Sequence, residues 1–83
     1  MPQVTVRLFA GLFQLVGARE VSLALPADAT VIDLKAALVA RYPQVRAFLP
    51  RVVCAVGEEY VTDSYPLHEG DAVALIPPVS GGR

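Results

Sequence analysis

The chain has 83 residues, of which 54% are hydrophobic and 18% charged, with a formal net charge of -1. That is one domain with enough apolar material for a core, far from the composition of disordered chains. The scattered basic residues, Arg7, Arg19, Lys35, Arg41, Arg46, Arg51 and Arg83, form no stripe suited to a phosphate backbone, so nucleic acid is not an expected partner. The single Cys54 excludes an internal disulfide. The longest apolar stretch, residues 8–17, is too short for a membrane span and contains Gln14, so no membrane association and a cytoplasmic location are expected.

Taken in order, "VTVRLF" alternates, with Val4, Val6 and Leu8 on one face and Thr5, Arg7 and Phe9 on the other, the period of a half-buried strand. "AGLFQLVGA" carries two glycines among apolar residues and reads as a loop with at most a helical turn. "REVSLAL" alternates again, Val21, Leu23 and Leu25 inward, until Pro26. A helix is expected from the N-cap Thr30 to about Tyr42. Asp33 places negative charge in its first turn, a weaker device than the Glu or Gln of a full capping box. Val31, Leu34, Leu38 and Tyr42 form its apolar stripe, widened by Ile32 and Val39, and Pro43 ends it.

After a proline-punctuated connection, "RVVCAV" reads as a strand, "GEE" as a turn, "YV" as a short return strand, "PLHEGD" as a turn and "AVALI" as the closing strand. Strand, strand, helix, strand, short strand, strand is the order of a β-grasp, or ubiquitin-like, α+β fold. Its mixed sheet has about five strands and one main helix on one face. The domain is expected over residues 1–76 and an extended tail over 77–83. A central first strand paired parallel with the last would send that tail out from the edge of the sheet.

No metal is expected, because one His and one Cys far apart cannot supply three or four ligands. The glycines Gly11 and Gly17 lack the Lys and Ser/Thr of a phosphate loop. Cys54 between Val52 and Val56 reads as a small buried hydrophobe, and His68 as an exposed turn residue. The acids Glu58, Glu59, Asp63, Glu69 and Asp71 suit solvated hairpin ends, or a surface for a basic partner.

The tail "PPVSGGR" is the informative segment. Pro77 and Pro78 have no N–H and favour an extended conformation, so they end the ladder and project the last five residues away from the domain. Gly81 and Gly82 remove every side chain near a terminal carbonyl, leaving room for a narrow active site to close on the backbone. Phe9 and Ile76, apolar and on the outward phase of their strands, are expected in a partner surface together with Pro77, Pro78, Val79 and Ser80. The competing reading puts Phe9 and Ile76 in a minor second core under residues 12–16.

With "VRLFAGLFQLVG", "ATVIDLKAALVARYP", "AVGEEYV" and "PLHEGDAVALIPPVSGG", nearly the whole chain resembles the small subunits of molybdopterin synthase, ubiquitin-like sulfur carriers. That resemblance implies an ATP-consuming E1-like adenylyltransferase that activates the Gly82 carboxylate, and conversion of that carboxylate to a thiocarboxylate. It also implies sulfur donation to a pterin precursor within a two-plus-two heterotetramer with the large subunit. The catalytic side chains then belong to the large subunit, no cofactor is bound stably here, and Gly81 provides clearance. Other thiolation pathways (tRNA, thiamin or cysteine) and a non-chemical β-grasp module are the alternatives. Gly57 stands where relatives often carry Asn, and both tolerate positive φ. Arg83 departs more seriously, since it displaces the terminal carboxylate. A protease that removes it is expected, against the alternatives of a cloning artefact or an enlarged pocket in the activating enzyme.

Overall fold

The computed structural model describes residues 1–77. Alternation builds the strands β1 (Gln3–Leu8), β2 (Glu20–Ala24), β3 (Val53–Val56), β4 (Glu59–Val61) and β5 (Ala72–Ile76). They form one sheet in the order β2-β1-β5-β3-β4. β1 and β5 are parallel, Leu8 opposite Leu75, and the other neighbours are antiparallel. The inward phases bury Val4, Val6, Leu8, Leu23, Cys54, Val73 and Leu75 in a single core.

Between β1 and β2, the segment that reads as a loop is a helix, α1 (Ala10–Val16). Its glycines conceal it, and both have local causes. A Cβ on Gly11 would stand 3.0 Å from Cε2 of Phe48, so glycine lets that ring close over the helix. Gly17, at φ 83, caps the C-terminus in the left-handed region, its N–H donating to the Phe13 carbonyl at 2.8 Å. Leu12 is wholly buried, and Phe13 and Val16 pack on the core.

Helix α2 (Val31–Arg41) closes the inward face of the sheet with Val31, Leu34 and Leu38, all 0% exposed. Ile32 is an exception to the expected stripe. It is 51% exposed and faces solvent, one residue out of phase with the buried i, i+3, i+7 ridge, whereas Val39 packs against the core. The start of α2 is better capped than Asp anticipates: the Asp33 carboxylate accepts the Thr30 N–H at 2.8 Å and its hydroxyl at 3.2 Å. The substitution Asp33→Ala is therefore expected to lower the unfolding free energy by about 1 kcal/mol in urea titration. At the other end Tyr42 leaves helical geometry, φ -132 and ψ 78, ahead of Pro43. The proline-rich connection winds into two short 3-10 turns, Pro43–Val45 and Leu49–Arg51, so the third strand starts two residues later than alternation suggests. The β3–β4 hairpin turns through Gly57 and Glu58, both at positive φ (58 and 70), the geometry whose twist matches the flanking strands.

Candidate functional site

The outward phase of the sheet carries the candidate site. Register pairs Val53 with Ile76, and Ala55 with both Ala74 and Tyr60. These residues stand together on the face that α2 does not cover. Val53 is 44% exposed, Tyr60 77% and Phe9 44%. Leu8 pairs with Leu75, so Phe9 and Ile76 come next, side by side, where the chain leaves the ladder toward Pro77. Neither Phe9 nor Ile76 belongs to the core cluster or packs against it. In the 12–16 segment Leu12 is buried in the main core, and Phe13 and Val16 pack against it.

Phe9 is not on β1 itself. It is the extended N-cap residue of α1, φ -124 and ψ 154, followed by Ala10 at φ 52, and this sharp junction leaves its ring outside. Val53, Tyr60 and Ala74 join the patch around the buried Ala55, although sequence reasoning does not single them out. Their signal is legible, since "RVVCAV" and "AVALI" are apolar on both phases, which in a one-sided sheet leaves one phase uncovered.

The other candidates are structural. Cys54 is 3% exposed, and burial pushes its thiol up, against a smaller lowering by Lys35, so it stays a neutral core side chain rather than a nucleophile. His68 is exposed with Nδ1 3.9 Å from Asp71. Of the five acids, Asp63 pairs with Lys35 at 2.8 Å, Glu69 accepts the Gln3 N–H at 2.8 Å and Asp71 accepts the His68 N–H at 2.9 Å. Among the described residues no group of three or more His, Cys, Asp or Glu could hold a metal, and no helix is long and apolar enough to cross a membrane. Pro78, Val79, Ser80, Gly81, Gly82 and Arg83 lie outside the described residues.

A five-stranded β-grasp sheet with an open apolar strip at the root of a Gly-Gly tail defines a ubiquitin-like carrier domain. The chain belongs to the ThiS family, whose model matches residues 6–82 and so stops at the second glycine. Among curated proteins it is 36% identical over 80 residues to the molybdopterin synthase sulfur carrier subunit of Arabidopsis thaliana, covering 96% of this chain and 83% of that one. The subunit of the same name from Chlamydomonas reinhardtii is 37% identical over 82 residues, covering 96% and 99%. Among solved structures, SAMP1 from Haloferax volcanii superposes with a TM-score of 0.88 at 31% identity, over 96% of this chain and 99% of that one.

Proposed function

We propose that this chain is the sulfur carrier of molybdopterin synthesis, working through the carboxylate of Gly82. The observation that carries the reading is the family match ending at Gly82, in relatives of about this length named as sulfur carrier subunits. A carboxylate is a poor electrophile. Attack of its oxygen on the α-phosphorus of ATP, in an E1-like adenylyltransferase, releases pyrophosphate and leaves an acyl-adenylate. The terminal sulfur of a persulfide then attacks the acyl carbon and AMP departs. Reduction of the resulting S–S bond by a thiol leaves the thiocarboxylate. The large subunit takes the tail and moves that sulfur to the pterin precursor, supplying the catalytic side chains in a two-plus-two assembly. Gly81 keeps the approach to the acyl carbon clear, and a protease exposes Gly82 by removing Arg83. Intact-mass spectrometry of the protein from its native cells tests the reading: a mass increase equal to one O-for-S exchange on the Gly82-terminated chain is expected, and its lasting absence in cells making the cofactor would refute it.

The strip at the tail root, Phe9, Ile76 and Pro77 with Val53, is the docking face in this reading, and Pro78, Val79 and Ser80 belong to the same partner interface. Burying a charge there without a partner is costly. Phe9→Asp and Ile76→Asp are expected to melt close to wild type yet bind the large subunit more weakly by about 2 kcal/mol or more. Calorimetric binding and thermal melts check this together; a variant that fails to fold instead would show that the residue serves the core.

A further inference from the structure

Charges in this domain are sorted along the strands. β1 and β5 end together, and β2 and β3 begin at that same end, with Glu20 opposite Arg7 and Val53 opposite Ile76. Gathered there are Arg7, Arg19 and Arg51, against two acids that already have partners, Glu20 with Arg7 and Asp63, just past β4, with Lys35. The opposite end holds Asp28 after β2, Glu58 and Glu59 at the β3–β4 turn, and Glu69 and Asp71 before β5. No Lys or Arg occurs in residues 25–30, 57–59 or 68–72. A net charge of -1 thus conceals a basic end, where the tail departs, and an acidic end.

The basic end is built rather than incidental. The Arg19 carbonyl accepts the Leu8 N–H at 2.8 Å, which ties its backbone to the end of β1. Its guanidinium lies over the Phe13 ring, 5.2 Å from the centroid. Arg7, Phe9, Ala10, Phe13, Arg19 and Glu20 line a notch of about 310 Å³ beside the tail root. Arg7 and Glu20 satisfy each other at 3.2 Å, in an exposed and therefore weak pair. Among the described residues no carboxylate pairs with Arg19 or Arg51.

We propose that this end docks on an acidic rim around the tail channel of the adenylating enzyme, with Arg19 and Arg51 as the cations that meet its carboxylates. The proposal rests on the sulfur-carrier reading and adds what orients the encounter. With almost no net charge, steering comes from the separation of charge, which turns the tail toward the channel and the acidic end away from it. The Gly82-terminated protein, ATP and the organism's own E1-like adenylyltransferase provide the test, with pyrophosphate release measured from about 20 mM to about 300 mM NaCl, where the screening length falls from about 20 Å to about 6 Å. For the wild type kcat/KM should drop about tenfold over that range while kcat holds. Arg19→Glu with Arg51→Glu should cost about tenfold or more in kcat/KM at low salt and flatten the salt dependence. Arg19→Lys with Arg51→Lys should retain most of the activity, and Glu58→Lys, at the far end, should leave it within about twofold. Pyrophosphate release with a flat salt dependence, or a charge-reversed variant equal to wild type, overturns the charge proposal alone. No release from the wild type at all overturns the sulfur-carrier reading with it.

Discussion

Gly82→Ala is expected to melt with the wild type and to fail as a carrier. The position lies beyond β5, and the ladder and core of the described residues are complete without it. The proposed reaction does depend on it: a methyl on the residue proposed to bear the acyl carbon would crowd the path of the incoming sulfur and turn the carboxylate away from the α-phosphate. A misplacement of about 1 Å costs on the order of a hundredfold in rate, and a loss of that size is expected in thiocarboxylate formation, measured by mass spectrometry of the intact protein. A transfer rate equal to wild type would favour a domain whose tail is chemically inert.

The second large effect belongs to Arg83. An adenylating site that holds a glycine carboxylate against ATP cannot do so while this arginine is still attached, because one extended residue moves the carboxylate by about 3.5 Å. Pyrophosphate release from the form carrying Arg83 is expected to be slower than from the Gly82-terminated form by about a hundredfold or more. Preincubation with a carboxypeptidase specific for basic residues is expected to abolish the difference. Equal rates, with Arg83 retained in the product, would instead point to an activating enzyme with an enlarged pocket.

Both expectations come from residues that no strand or helix pattern explains, and that contrast separates what is legible in the sequence from what is not. The inward phases of β1, β2 and β5 read directly, because period-2 alternation and one-sided burial have the same cause. Helix α2 is equally plain through Thr30, Leu34, Leu38 and Pro43. Helix α1 is hidden because Gly11 answers to Phe48, which is 37 positions away in the chain, a contact that local propensity cannot register. Tyr60 and Val53 also escape a reading of the sequence as site residues. Each is unremarkable alone, and only the register that sets Ala55 beside Tyr60 and Val53 beside Ile76 turns them into one surface. The arginines at the tail root are scattered along the sequence. Topology collects them.

The parallel pairing of β1 with β5 has a practical corollary. Because the two strands run the same way, the first strand starts at the end of the sheet opposite to the one where the last strand finishes. Gln3 is held there by Glu69 and Gly70, and six strand residues, about 20 Å, separate it from the point where the chain departs toward Gly82. The amino terminus is thus the natural place for an affinity handle, a fluorophore or a surface-immobilising linker. The same cargo placed after Gly82 would block the carboxylate on which the proposed sulfur transfer depends.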